Sequence, residues 1–457
     1  MASSSSSFLV SPSISTGNNR RIELAGMDLW LLARIDNVFV YPSEIKIEQF
    51  KEALSRTLSL WPFVAGRILL ENNQHYIIEM CDNPIPVTFV INNDLKEWPL
   101  DSNAVVEADN KQFPTFIDQV DVTKFFNNSP VDEPFVRFKL THIVQSDEWI
   151  LGISWYHPLG DATACLHFSN TLSRFYQQME PTKPLPIFER RLWREDEADQ
   201  SVFSIPKQFQ DAQSLEEAGK IYGDHQLNYA PINLHFSSKQ LATLRTLAGS
   251  DNITIQDALT AYIILTLNTN CYYNNDERRI LHTVTVVNFR GVSDSIAPQG
   301  QVSNSLFMML SNDFDDPYSL SSIAKTVRQS IIQLRNPEIL ASGIATIDGF
   351  MRKNARDKKL PNPRLITNEF AVNSNYRFDW AGLVDFGYTD QCRFYTIWSG
   401  ALYLRAFRLN PEKDGEKWLP RDRDGAEASF RIEKDLKEIF LNACKRDFIE
   451  NFQNIKK

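Results

Sequence analysis

Three short segments of this chain place chemically capable residues at informative spacings. His157-Pro158-Leu159-Gly160-Asp161 follows an apolar run, Glu148–Tyr156. A histidine before proline is pushed out of the helical region, so a strand over Glu148–Tyr156 should end at His157. Pro158 and Gly160 then make a turn, and Asp161 opens the next helix. A strand-end imidazole facing a cleft, with an ordinary pKa near ~6.5, suits acid–base work at neutral pH. The spacing alone favours a plainer reading, a half-buried histidine and an aspartate helix cap. His157, Asp161 and His167 are also the candidate set for a metal-dependent hydrolase, although no further ligand spacing supports one. The second segment is Asp385-Phe386-Gly387-Tyr388-Thr389. A protein-kinase reading of its Asp-Phe-Gly fails, because no His-Arg-Asp catalytic loop precedes it and no glycine-rich phosphate loop exists. The third, Val286-Val287-Asn288-Phe289-Arg290, is a strand that ends in one arginine.

These residues need elements to position them. Asp36–Tyr41 reads as a strand stopped by Pro42. Glu44–Leu60 carries apolar residues at helical spacing up to Trp61-Pro62. Phe135–Val144 and Glu148–Tyr156 form a hairpin across Gln145-Ser146-Asp147. Asp161–Gln178 has an apolar helical stripe. Pro181–Gly223 is proline-rich and then polar, the character of a linker or crossing loop. Beyond it come helices at Ser237–Leu247 and Thr254–Leu267, a strand at Ile280–Val287, and a basic loop at Met351–Arg364. Gly387 and Asp385 look built to hold a turn.

Composition limits what this machinery can serve. With 457 residues the chain is long enough for two or three domains. Hydrophobic residues at 43% and charged residues at 23% exclude wholesale disorder. A net charge of −9 argues against a nucleic-acid partner, which needs a basic surface. The 5 cysteines are widely spaced with no Cys-x-x-Cys, so neither a disulfide scaffold nor a cysteine zinc site is expected. That pattern suggests a reducing, cytoplasmic setting. Ser3–Ser7 reads as a disordered tail, and no apolar run reaches the 18 residues of a spanning helix, so no membrane partner is expected.

In this order and spacing, the three segments resemble the BAHD family of CoA-dependent acyltransferases. That family carries His-x-x-x-Asp near residue 160, an Asn-x-Arg strand later, and Asp-Phe-Gly-Trp-Gly late in the chain. The resemblance extends over nearly the whole sequence. Ala25–Leu31 is similar to its opening Leu-Ser-x-x-Asp segment, and Trp61–Arg67 to its "hYPxAGR" signature. Ile253–Ala261 resembles its "vSTfxaLxAhvW" helix, and Val302-Ser303-Asn304 stands where the family has Phe-Gly-Asn. Tyr388 and Thr389 depart from the Trp and Gly of the late motif, and Tyr156 stands where some members have a first His. These departures motivate a rival reading as a non-catalytic binding protein that keeps the fold.

The resemblance implies an α/β chain of two chloramphenicol-acetyltransferase-like domains of similar size, with mixed sheets. They would cover residues 1–190, with an exchanged segment at about 379–401, and residues 222–457. The crossing loop would be 191–221, and an active-site channel would lie at the interface. It implies acyl-CoA as co-substrate, a small alcohol or amine of specialised metabolism as acceptor, no permanently bound cofactor or metal, and a monomer. His157 would be the general base in a direct transfer without an acyl-enzyme. Asp161 would pair with Arg290 as a structural latch, and Asp385 and Gly387 would be structural. By strand alternation Ile35, Asn37 and Phe39 would face the acceptor pocket, joined by Thr389. Lys239, Thr254, Asn304 and the basic residues Arg352–Lys359 are the candidate CoA contacts.

Overall fold

The computed structural model describes residues 4–455 apart from 16–18, 73–74, 100–103, 108, 128–132, 200–206, 250–251, 273–275 and 416. Two six-stranded mixed sheets organise it. The first runs Ser4–Val10, Ile85–Asn92, Val136–Ile143, Glu148–Tyr156, Arg34–Tyr41, Arg393–Thr396, with Ile85–Asn92 and Val136–Ile143 parallel and the other pairs antiparallel. The second runs Leu306–Leu310, His282–Asn288, Glu369–Ser374, Tyr403–Arg408, Ala426–Glu433, Tyr229–Phe236. The edge strand Arg393–Thr396 thus joins the first sheet although four strands of the second precede it in the chain and two follow.

The first sheet is apolar on both faces, which explains why its central strand Glu148–Tyr156 is buried along all its 9 residues. On one face Phe39, Tyr41, Leu151, Ile153 and Trp155 pack beneath two helices, Ile47–Leu60 and Ala162–Tyr176. On the other, Val38, Val40 and Ile150 meet Trp98, Phe116 and Tyr395. The second sheet packs Phe236, Phe370, Leu404 and Phe430 against Tyr262 and Phe440 of its helices. A further apolar cluster joins Met27 to Phe289, Phe307 and the long helix Pro337–Arg356, so the N-terminal segment reaches across to the second sheet.

Most expected elements fall within two residues of their predicted bounds, and three expectations change. Ser4–Ser7, expected to be part of a disordered tail, belong instead to the edge strand Ser4–Val10, antiparallel to Ile85–Asn92 (Ser3 lies outside the described residues). Its backbone bonds come from the partner strand, so its serines need bury nothing. The basic loop begins inside a helix: Arg352, Lys353 and Arg356 occupy the last turns of Pro337–Arg356, where cations favour the helix C-terminus. The crossing segment also carries structure, because Ser214 and Glu217 form a capping box that starts the helix Leu215–Asn228. Among the described residues no helix is long and apolar enough to cross a membrane.

Candidate active site

The site forms where the strand Glu148–Tyr156 ends. His157–Leu159 is a single 3-10 turn, and Gly160 (φ 154°) redirects the chain into the helix Ala162–Tyr176. A Cβ on Gly160 would lie 2.6 Å from the Ala164 Cβ and 3.1 Å from the Ser303 carbonyl oxygen, so only glycine fits this approach. Trp155 Nε1 donates to the Gly160 carbonyl (2.9 Å) and fixes the turn from below.

Asp161 is at once helix cap and latch. Its Oδ1 accepts from the Ala164 N–H (3.1 Å), and its Oδ2 from Arg290 Nη1 (2.7 Å) and the Ser305 N–H (3.1 Å). Arg290 spends its other donors on the carbonyls of Gln301 (2.7 Å) and Ser303 (2.5 Å). Both side chains are buried, at 1% and 3% exposure, so the pair is desolvated and fully hydrogen-bonded. Asn288 adds a second tie through Thr163 Oγ1 (3.1 Å). The latch therefore joins the strand end of the first sheet to the strand end of the second.

His157 is held by its backbone. Its N–H donates to the Ala33 carbonyl (3.1 Å), and its carbonyl accepts from Asn304 Nδ2 (2.9 Å). Burial pulls the imidazole below its ordinary pKa, against the opposing pull of Asp161, its own carbonyl, Asn304 and Asp28. The ring is therefore neutral at pH 7 and able to accept a proton. Asp161 is fully committed elsewhere, so this is not a carboxylate–histidine pair of the triad type.

A cavity of about 360 Å³ opens beside this turn, between Leu29–Ala33, the end of the helix Pro337–Arg356, the segment Lys359–Ile366 and the strand ends at Glu369–Ala371 and Trp398–Tyr403. It reaches the histidine through Ala33 and through Trp30, whose ring centroid lies 6.4 Å from the imidazole. His157 stands behind Trp30 rather than on the cavity wall.

The structure brings together His157, Asp161, Arg290 and Asn304. Asn304 is buried between His157 and Asp28, and its Nδ2 bond to the His157 carbonyl positions the turn. Thr254 caps the helix Ile255–Thr266 in a box with Asp257, Lys239 is exposed on the first turn of Ser238–Leu247, and neither lines the cavity. Arg352 is committed to Asp348 (2.7 Å), and Lys358 donates to the Phe126 carbonyl, whereas Lys359 does line the cavity. The expected acceptor face also changes. Asn37 and Phe39 are buried under the helix Ala162–Tyr176, Asn37 Nδ2 lying 3.8 Å from Cys165 Sγ, and Ile35 packs on the same core. Strand alternation placed the three on one face correctly, but that face is core. His167 packs edge-on against Trp61 at 5.1 Å, so the set His157, Asp161, His167 does not converge. Among the described residues no group of three or more His, Cys, Asp or Glu is arranged to hold a metal.

Asp385, Gly387 and Thr389 lie at the other end of the helix Ala162–Tyr176. Asp385 Oδ1 accepts from Gln177 Nε2 (3.1 Å) and the Gly387 N–H (3.0 Å), and Oδ2 from Thr389 Oγ1 (3.0 Å). Gly387 holds φ 96°, and Tyr388 OH donates to the Glu44 carbonyl (2.7 Å). Thr389 is exposed there, about 22 Å of helix away from Asp161 at ~1.5 Å per residue.

Two site residues escaped the sequence reading. Asp28 is buried, pairs with Arg190 (2.5 Å) and accepts the Asn304 N–H (2.7 Å), which carries its support to His157. Trp30 lines the cavity with its ring centroid 6.4 Å from the imidazole. Both lie inside the recognised segment Ala25–Leu31, and the signal was a lone acid and a large aromatic in an apolar stretch.

Comparison with known proteins was made on sequence and on structure. The pattern described as "Transferase family" matches residues 3–392. A search of curated protein sequences finds no relative. Among solved structures, vinorine synthase is similar at 14% identity and a TM-score of 0.63, covering 96% of each chain. TRI101 of F. graminearum is similar at 15% identity and a TM-score of 0.60, covering 97% of this chain and 99% of that one. TRI101 of F. sporotrichioides, solved with coenzyme A and T-2, is similar at 14% identity and a TM-score of 0.55, covering 93% and 97%.

Proposed function

Since the chain belongs to the BAHD family of acyl-CoA-dependent acyltransferases, we propose that it moves an acyl group from a CoA thioester to a hydroxyl or amine of a small specialised metabolite, with His157 as general base. In this reading the acceptor's O–H or N–H proton passes to the imidazole as its oxygen or nitrogen bonds to the thioester carbonyl carbon. The tetrahedral oxyanion then collapses, the C–S bond breaks, and the thiolate takes the proton back from His157 to leave as free CoA. The TRI101 neighbour solved with coenzyme A supports the co-substrate.

One observation carries the reading: His157 is a half-buried imidazole at a strand end, held by backbone bonds to Ala33 and Asn304 and kept by desolvation below its ordinary pKa. Direct transfer is supported by the thiols, since burial pushes those of Cys165 and Cys392 up and keeps them protonated, poor nucleophiles for an acyl-enzyme. We take residues 1–190 with 379–401 as one unit and 222–457 as the other, joined by 191–221. His157 and Asp161 then come from one unit, Arg290 and Asn304 from the other, and a single cytoplasmic chain supplies the whole site. The non-catalytic alternative loses its motive, because Tyr388 and Thr389 stand at the far end of the helix from His157.

The test is a thiol-release screen of several acyl-CoAs against pooled alcohols and amines. Release that depends on both partners is expected, and mass spectrometry of the chain with acyl-CoA alone should show no acyl adduct. A kinetically competent adduct or a ping-pong rate pattern would overturn direct transfer.

A further inference from the structure

The cavity beside the histidine turn is lined by a carboxyl group that transfer chemistry does not use. Glu369 opens the strand Glu369–Ser374 and lines the cavity, with its side chain 10% exposed. Its nearest charged group among the described residues is His282 Nε2, on the adjacent strand, at 3.8 Å, beyond hydrogen-bond distance. The His282 ring already engages Asp313 through Nδ1 (3.0 Å). Burial pushes the Glu369 carboxyl up to about 7, and among the described residues no Lys or Arg lies within ion-pair distance of it. Lys359 and Arg364 also line the cavity, but both are exposed and neither forms an ion pair with Glu369.

Aromatic groups stand nearby. Ala371 is two residues along the same strand, hence on the same face as Glu369, and it pairs with Tyr403 of the next strand; both line the cavity. Trp398 packs edge-on against Tyr403 at 5.1 Å. It is 45% exposed and holds φ 82°, a conformation costly for a bulky residue, kept in place by Arg405 Nη1 donating to its carbonyl (2.6 Å). A backbone strained to hold an exposed indole over a cavity is characteristic of a ligand contact. A largely buried carboxyl group without a side-chain hydrogen bond, in a cavity that also presents aromatic side chains, is complementary to an organic cation.

We propose that this cavity recognises a ligand through a protonated or quaternary nitrogen, with Glu369 as counter-charge and Trp398 and Tyr403 as aromatic walls. The name acceptor for that ligand rests on the acyl-transfer reading. On that reading the acceptor is bifunctional: the charged nitrogen sits at Glu369, and a separate neutral hydroxyl or amine is the nucleophile, because a protonated nitrogen has no lone pair to give.

The test uses the full chain and an isosteric pair of probes, tryptamine (cationic) and tryptophol (neutral), titrated by calorimetry without acyl-CoA. Wild type should bind tryptamine at least about tenfold more tightly. Glu369→Gln should abolish the preference, while His157→Ala and Lys359→Ala should keep it. Equal affinities, no binding of tryptamine, or a preference that survives Glu369→Gln would overturn the proposal, and the wild-type comparison alone suffices if the variant does not fold. A chain that binds tryptamine through Glu369 but releases no thiol from any acyl-CoA would keep the cation site and remove the transfer reading. Thiol release indifferent to acceptor charge would do the reverse.

Discussion

The helix Ala162–Tyr176 is gripped at its two ends by segments of similar composition, each pairing an aspartate with a glycine. At the N-terminal end Asp161 is buried, paired with Arg290 of the second sheet, and adjacent to His157. At the C-terminal end Asp385 is half-buried and bonded to Gln177, Gly387 and Thr389, and among the described residues it forms no ion pair. Phe386 drives into the core against Tyr41, Phe50 and Tyr176. The difference teaches how to separate chemistry from architecture in such segments. Composition does not distinguish them; a desolvated charge network that crosses between the sheets beside a neutral base does.

Breaking the N-terminal grip should have the largest effect on stability. Asp161→Ala or Arg290→Ala leaves the partner charge buried and alone, a loss of about 3–5 kcal/mol by denaturant unfolding. The double variant should lose much less than the sum, because the two act as one unit. Strict additivity would show that the latch does not operate in solution.

The two glycines sharpen the contrast at smaller magnitude. Gly160→Ala meets Ala164 and Ser303 and should cost roughly 1–3 kcal/mol and lower kcat as well, because the turn carries His157. At Gly387 the nearest atom to a new Cβ is Gln177 Oε1 at 3.7 Å, so only its positive φ resists substitution. Gly387→Ala should cost about 1–2 kcal/mol with kcat per folded molecule unchanged. Equal kinetic damage at both glycines would erase the distinction.

The smallest effect is expected at Asp385. Asp385→Asn weakens hydrogen bonds in a partly solvated turn and should cost about 1 kcal/mol or less, read as a shift of melting temperature. Restoring the family residues, Tyr388→Trp with Thr389→Gly, should be tolerated, since both positions lie at the surface end of the helix. A change of acceptor preference in that variant would place Thr389 nearer the cavity than its bond to Asp385 puts it.

How much of this was legible in the sequence follows from the range of each interaction. The junction at Tyr156–Ala162 was readable because every device in it is local: proline restricts His157, glycine turns, and aspartate caps. The pairing of Asp161 with Arg290 came from a family resemblance, since no local rule spans 129 residues. Asp28 and Arg190 were invisible for the same reason: their worth lies in the Asn304 they support, and a lone acid in Ala25–Leu31 has no periodicity to betray it. Ile35, Asn37 and Phe39 show the limit of alternation. Period two sorts side chains onto faces, but with both faces of the sheet buried it cannot say which one meets a ligand. The segment Met351–Arg364 looked like a loop because basic residues obscured the helical stripe that Met351 and Ala355 continue.

The measurement that tests the central claim most directly is kcat per folded molecule for His157→Ala beside Asp385→Asn, after aggregates are removed and well below unfolding. Thiol release from an acyl-CoA is the readout, followed across pH for the wild type. The account predicts that His157→Ala melts like wild type and loses roughly 10²–10⁴-fold in kcat, while Asp385→Asn stays within about twofold. It also predicts a wild-type kcat, at saturating acceptor and acyl-CoA, that falls on the acid side with a midpoint below the ordinary ~6.5 of histidine, because burial holds the imidazole neutral. Near-wild-type turnover in His157→Ala, or a loss of 10²-fold or more in an Asp385→Asn chain that melts normally, would contradict it and move the chemistry to the other end of the helix.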